Sequence, residues 1–265
     1  MLKFITVQQM KNQADTDSAN KKPKVFSYNS LSSTNDKMKE LTNKEDLPEF
    51  TIVITKFQTA GRGQEGNSWE SLEGENLTFS ILLRPDFLEP QDQFFISKVI
   101  SLAIVRVLTD RGIDAMIKWP NDIYAGDKKI AGILIENELM GNSISISIAG
   151  IGLNVNQTVF TENAGNAVSM RNITGREYKL NVLLNDLVNE VIECYNYLRV
   201  EEFQLLNENY FMKLLRRTGF HKYRDEKGEF LAEIAGIESS GILILRDKKG
   251  KERKYAFKEV EFLPG

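Results

Sequence analysis

The chain has one cysteine, Cys194, and one histidine, His221, in 265 residues. A lone cysteine closes no internal disulfide, and a lone histidine supplies neither a zinc cluster nor a histidine relay, so both are read as packing or surface residues. An excess of one charge is missing too. The 34 basic and 37 acidic side chains leave a net charge of −3, which gives no global field to draw DNA or an anionic membrane. Any cationic site must therefore be local, and neither nucleic acid nor membrane is expected as a partner. No apolar run is long enough to span a bilayer, and the first nine residues carry no apolar signal core, so a cytoplasmic protein is expected. A P-loop and a G-x-S-x-G nucleophile elbow are also absent, which excludes the commonest phosphate cradle and the serine hydrolase arrangement.

The chain does have a globular pattern with 42% hydrophobic residues, enough for a sizeable core, in a length that predicts one large domain and a smaller one. Residues 1–24, polar from residue 8 onward, read as a mobile N-terminal segment. Residues 25–217 form the larger unit. Ser32-Ser33-Thr34-Asn35 offers a helix cap before residues 36–41, and the β-branched stretch 51–57 predicts a strand. Residues 77–83 read as another strand, and 91–111 carry apolar residues at helical spacing before Gly112 closes the helix. Strands are expected at 115–119, 122–125 and 129–136 about an Ala-Gly-Asp-Lys turn, then through the alternation of Ile144, Ile146 and Ile148. A helix over 180–198 and a second reaching residue 217 come next, and Thr218-Gly219 breaks the pattern. Residues 218–265 consist of short strands divided by Gly-containing turns, the pattern of a small β-barrel.

Three stretches suggest chemistry. Residues 58–66, Gln58-Thr59-Ala60-Gly61-Arg62-Gly63-Gln64-Glu65-Gly66, contain G-x-G-x-x-G after a strand, but residues 67–74 are turn-like rather than helical, so a dinucleotide-binding reading fails. The stretch is then a loop whose glycines admit a ligand near the backbone and whose Arg62 presents a permanently charged fork. In the second stretch, Lys118-Trp119-Pro120-Asn121-Asp122 faces Lys129-Ile130-Ala131-Gly132 across a hairpin, setting charged and amide groups against apolar strands. The third, Gly150-Ile151-Gly152-Leu153-Asn154, is expected as a glycine-opened turn directly after the isoleucine strand. Together they suggest nucleotide chemistry without a Walker loop.

In order and approximate spacing, Ser33-Thr34-Asn35 and these three stretches resemble the motifs of the biotin protein ligase family, part of the biotin and lipoate ligase superfamily. The resemblance covers about residues 25–160. It implies an α+β fold: a mixed β-sheet catalytic domain flanked by helices, of the class II synthetase-like kind, with a small C-terminal SH3-like β-barrel. It also implies an enzyme that uses ATP to activate biotin as biotinoyl-AMP, with release of pyrophosphate, and then transfers biotin to a lysine of a biotin carboxyl carrier protein. The residues it assigns to biotin are Ser33, Thr34, Asn35, Gln58, Gly61, Arg62, Gly63, Gln64, Lys129 and Gly132. Arg62, Lys118, Trp119, Asn121 and Asn154 fall to ATP or the adenylate; Lys129, Arg62 and Lys118 to catalysis; and Asp122 to Mg²⁺.

Two departures accompany the resemblance. Where the family commonly has arginine after the second glycine of the loop, this chain has Gln64 and Glu65, so a looser hold on the adenylate is expected. The form expected lacks the N-terminal helix-turn-helix domain of some relatives, which removes the basis for a repressor role. Lipoate or octanoate ligation, and a non-catalytic adenylate-binding regulator, remain alternatives. A homodimer is compatible with the sequence.

Overall fold

The computed structural model describes residues 23–64, 68–161 and 164–264. Residues 1–22 of the expected mobile segment, with Glu65 and Gly66 of the glycine-rich loop, lie outside the described residues. The larger sheet contains β1 (Val25–Leu31), β2 (Ile52–Gln58), β3 (Leu77–Leu83), β4 (Ala115–Lys118), β5 (Asp122–Ala125), β6 (Lys128–Met140) and β7 (Ser143–Leu153), in spatial order β1-β2-β3-β7-β6-β5-β4. The β1–β2 pair is parallel and the other pairs are antiparallel, so the sheet is mixed, as expected.

Every residue of β3 is buried, because both faces of the sheet are covered at its centre. Successive side chains point to opposite faces. Phe79, Ile81 and Leu83 therefore enter the main core beneath the long helices, while Leu82 packs with Met38, Val53 and Ile148 on the other face. Met38 belongs to α1 (Thr34–Thr42), which begins where the Ser33 side chain accepts the Asp36 N–H. Below the sheet lie α2 (Phe94–Thr109), the short α3 (Met170–Thr174), α4 (Leu180–Arg199) and α5 (Phe203–Met212). Cys194 is buried on α4, where desolvation pushes its thiol up to about 12, and His221 is partly exposed beside Thr218 O. No helix among the described residues is long and apolar enough to cross a membrane.

Four elements differ from the sequence expectation. β1 was not anticipated; it is a half-exposed edge strand whose Ser27, Asn29 and Ser30 weaken the apolar alternation. α3 spans five residues, too short to show a period, although its Ser169–Asn172 capping box and the left-handed Gly175 delimit it. The last helix stops at Met212 rather than residue 217, because the next residues pair with β4: Ile117 N–H donates to Lys213 O at 2.7 Å and Leu215 N–H to Ile117 O at 2.8 Å. Gly150 and Gly152 lie inside β7, not in a turn after it.

α2 carries one exception to its apolar burial. Lys98 is 2% exposed, with Nζ 2.5 Å from Asn207 Oδ1 and 4.2 Å from the centre of the Phe95 ring. Desolvation brings its ammonium down to about 8, with Asp92 opposing. The folded pKa is below the unfolded one, so the unfolded chain binds more protons between about pH 8 and 10.5, and stability rises with pH across that window. Below pH 8 the buried charge costs on the order of 3 kcal/mol. Lys98→Met should raise the melting temperature by about 4–8 °C at pH 7, and by less than half that at pH 9.5. A gap independent of pH in thermal melts would show that Lys98 is not a buried cation.

The C-terminal sheet contains β8 (His221–Asp225), β9 (Gly228–Ile237), β10 (Leu243–Asp247), β11 (Glu252–Tyr255) and β12 (Glu261–Phe262), in order β11-β10-β9-β8-β12 and antiparallel throughout, consistent with an SH3-like domain. Trp119 ties it to the larger sheet. The indole N–H donates to Gly241 O at 2.9 Å, and its ring centre lies 6.3 Å from that of Phe257.

Candidate active site

Residues directly opposite one another in antiparallel strands share a face. The register therefore sets Thr55, Thr78, Gly152, Gly132, Asp122 and Lys118 in one row across the upper face of the sheet. A neighbouring row runs Val53, Ser80, Gly150, Leu134. Where the rows contain glycine, side chains from other segments settle directly onto the strands, and a cavity of about 810 Å³ opens beside them. The Trp69 indole lies against this glycine floor: a Cβ on Gly152 would sit 2.3 Å from Trp69 Cε2, and one on Gly132 3.2 Å from Trp69 Cζ3. Trp69 is positioned by the loop's return, its N–H donating to Gly61 O at 2.9 Å, with a bridge between Arg62 and Ser68 beside it.

One end of the cavity is lined by neutral hydrogen-bonding groups at the start of α1. Gln58 Oε1 accepts the Thr34 N–H at 2.8 Å. Ser80 Oγ lies 2.6 Å from Asn35 Oδ1 and 2.8 Å from Thr34 Oγ1, all three residues being buried. Asn35 Nδ2 donates to Glu136 Oε2 at 2.6 Å and to Leu134 O at 3.3 Å. The absence of a Cβ at Gly150 leaves room for this network, since one there would be 2.5 Å from Asn35 Oδ1. Preorganised amide and hydroxyl groups of this kind suit an uncharged polar head rather than an ion.

The other end is cationic. Lys129 Nζ lies 2.6 Å from Asp122 Oδ1 and 5.8 Å from the Trp69 ring centre. Lys118 Nζ is 3.2 Å from Tyr124 OH and 5.9 Å from the ring centre of Phe262 on β12. Arg62 instead lies beside the α1 end, on Asp36 at 2.5 Å and on Glu136, the partner of Asn35, at 3.3 Å. Asn121 Nδ2 donates to Ile133 O at 2.5 Å, holding the Trp119-Pro120-Asn121 turn against β6. No group of three or more His, Cys, Asp or Glu side chains among the described residues could cage a metal. A single carboxylate, Asp122, fits an Mg²⁺ ion that arrives on phosphates and keeps most of its waters.

Most residues singled out from the sequence line this one cavity: Ser33, Thr34, Asn35 and Gln58 at the neutral end, Arg62, Gly63 and Gln64 on the loop, and Lys118, Trp119, Asn121, Asp122, Lys129 and Gly132 toward the cationic end. Two stand behind its wall. Gly61 packs under Trp69, where a Cβ would meet Trp69 O at 2.4 Å. Asn154 is buried, its Nδ2 donating to Val168 O at 3.2 Å. The sequence reading missed Trp69, Ser80, Glu136 and the Phe257 to Phe262 edge of the C-terminal sheet, all part of the site or bonded to it. Thr78 and Ser80, alternating within an otherwise apolar strand, were the one available signal.

Residues 27–156 match the Biotin/lipoate A/B protein ligase family, the class that this mixed sheet and its chamber define. The bifunctional ligase/repressor BirA of Bacillus subtilis is 31% identical over 234 residues, 85% of this chain and 70% of that one. The biotin–[acetyl-CoA-carboxylase] ligase of Paracoccus denitrificans is 26% identical, over 76% of this chain and 85% of that one. Among solved structures, the Aquifex aeolicus biotin protein ligase in complex with biotin and ATP matches with a TM-score of 0.73 at 25% identity, over 91% of this chain and 99% of that one. The chain belongs to the biotin protein ligase family.

Proposed function

We propose that the chain is an ATP-dependent biotin protein ligase, which activates biotin as biotinoyl-AMP and transfers it to a lysine of a carboxylase carrier protein. The observation that carries this reading is the pairing of a neutral, preorganised hydrogen-bonding end with a lysine-bearing end across an apolar glycine-and-tryptophan floor. Biotin has that order of groups: an uncharged ureido head, an apolar body and a carboxylate.

In this reading Ser33, Thr34, Asn35 and Gln58 hold the ureido group, and Trp69 over Gly132 and Gly152 flanks the body. Lys129 meets the carboxylate. One carboxylate oxygen attacks the α-phosphorus of ATP, the bond to the β-phosphate oxygen breaks, and pyrophosphate departs with the electron pair. Lys129 and Lys118, joined by Arg62 once the substrates draw it from Asp36 and Glu136, stabilise the negative charge gathered at that centre, which is work of positioning and electrostatics. Asp122, freed from Lys129 by the substrate carboxylate, would hold an Mg²⁺ ion, which would offset phosphate charge. No enzyme nucleophile is required. Residues 25–217 supply this chemistry, and 218–265 close one side of the chamber through Phe257 and Phe262.

The test is pyrophosphate release by purified protein with MgATP and biotin, lipoate or octanoate, with and without a biotin-accepting carrier domain. Release with biotin, followed by labelling of the carrier, is expected; release with lipoate or octanoate instead would overturn the substrate, and none with any acid would overturn the enzyme. With Gln64 neutral, the adenylate lacks one charge-assisted contact, worth about 1.5–3 kcal/mol. Gln64→Arg should therefore slow adenylate release by about tenfold or more, read by rapid filtration. An unchanged off-rate would remove the loop's charge as the cause of looser retention.

A further inference from the structure

The hydrogen bonds at the neutral end of the chamber run in one direction. Asn35 Nδ2 lies 2.6 Å from Glu136 Oε2 and 3.3 Å from Leu134 O. A carboxylate and a carbonyl only accept, so the nitrogen of the Asn35 amide must face them and its oxygen must face Ser80. Ser80 Oγ, 2.6 Å from that oxygen, therefore donates to it. A hydroxyl has one proton. With that proton given to Asn35, Ser80 Oγ has only lone pairs for Thr34 Oγ1 at 2.8 Å, and the Thr34 hydroxyl is the donor of that bond. The reverse assignment would set the lone pairs of Ser80 and Asn35 against each other at 2.6 Å. Ser80 is fully buried, and Thr34 and Asn35 are each 3% exposed, so bulk water does not relieve such a clash.

Thr34 and Asn35 line the chamber, whereas Ser80 and Glu136 stand behind them. With its own proton turned back to Ser80, the Thr34 hydroxyl offers the chamber lone pairs alone. We infer that Ser80, held through Asn35 by Glu136, is a positioning residue that fixes Thr34 as a hydrogen-bond acceptor and so selects acids whose uncharged head presents N–H donors. The inference rests on the ligase reading above and sharpens its substrate. A ureido head supplies such donors, whereas a dithiolane ring or an alkyl end supplies none and leaves the acceptor unpaired on burial. An acceptor that cannot turn into a donor discriminates more strongly than a free hydroxyl, which rotates to suit either kind of head. The same role gives a reason for a hydroxyl at position 80, in the central strand of the sheet, where the adjoining Phe79, Ile81 and Leu82 are core residues.

The experiment compares, by isothermal titration in the full chain, biotin with its cyclic carbonate analogue, in which a ring oxygen replaces each ureido N–H and the shape is kept. The parent should bind the carbonate at least about a hundredfold more weakly, because ring oxygens replace the donors that the acceptors of the site require. In Ser80→Ala the Thr34 hydroxyl is released to rotate and donate, so this ratio should fall by about tenfold or more, the carbonate gaining affinity while biotin loses it. A Ser80 that only filled space would weaken both ligands alike and leave the ratio unchanged. Glu136→Met removes one of the two acceptors that orient Asn35, from a partly exposed position, and should move the ratio the same way. Its lost contact with Arg62 weakens both ligands alike and cancels from the ratio. A ratio within about twofold of the parent in Ser80→Ala would overturn the inference, and the same result in Glu136→Met decides it if thermal melts show that Ser80→Ala does not fold. A parent that binds biotin and the carbonate equally would also overturn it while sparing the ligase reading; a parent that binds no biotin would overturn both.

Discussion

Lys129→Ala should lower the rate of adenylate formation by about 10²–10³-fold while leaving the melting temperature within about 2 °C of the parent. The loss is expected because a charge aimed at the reacting carboxylate and phosphate disappears. Stability is spared for a structural reason. Lys129 contributes to the fold through its backbone, whose N–H donates to Asn166 O at 2.8 Å and whose O accepts the Val168 N–H at 2.9 Å, and alanine keeps both. The side-chain ion pair is partly solvated and contributes little stability. In the same assay Asp122→Asn should also lower the rate, because it removes the carboxylate assigned to Mg²⁺. Pyrophosphate release at saturating biotin and ATP reads both. A Lys129→Ala protein with near-parent activity would sink the role assigned to this lysine.

Gly152→Val should abolish ligand binding in the chamber while the chain still folds. A Cβ at this position falls 2.3–2.7 Å from three atoms of the Trp69 indole, so the ring must leave the floor, and the Cγ methyls then occupy the space it vacates. The strand itself tolerates valine, whose branched side chain suits a pleated surface, and Gly152 is not among the glycines of this chain with a left-handed backbone angle. Isothermal titration with biotin should show at least a hundredfold weaker binding, about 2.7 kcal/mol, with intrinsic Trp fluorescence reporting the displaced ring. Unchanged biotin affinity would mean that the glycine floor is not where the acid lies.

Much of the architecture was written in local pattern. Ser33 before Asp36 is a cap signal that needs no tertiary information, and α1 starts there. The 16 residues of α2 are apolar nearly all round, which only a buried helix allows, and the strand at 77–83 is apolar on both faces for the same reason. The motif stretches were also legible, because glycine and charged residues at strand ends are unusual against an apolar frame. Elements whose stability comes from their neighbours were not. β1 has a weak pattern because an edge strand keeps half its surface in water, and the residues after α5 leave helical geometry to bond β4, a partner nearly a hundred positions away in the chain.

The site divides in the same way. By itself the sequence singled out the side chains proposed to carry the chemistry: Lys118, Asp122 and Lys129 on one hairpin, Gln58 and Arg62 about a loop, Thr34 and Asn35 at a helix start. Only the tertiary structure decided that Gly150 and Gly152 are strand floor rather than turn, since strand register, set by long-range pairing, is what places them opposite Ser80, Thr78, Leu134 and Gly132. Only the tertiary structure seated Trp69 on that floor, bonded Glu136 to Asn35 and Arg62, and brought Phe257 and Phe262 to the chamber from the end of the chain. Composition and spacing record what each residue can do. Contact between residues far apart in sequence depends on how the sheets pair and pack, and no local pattern encodes that.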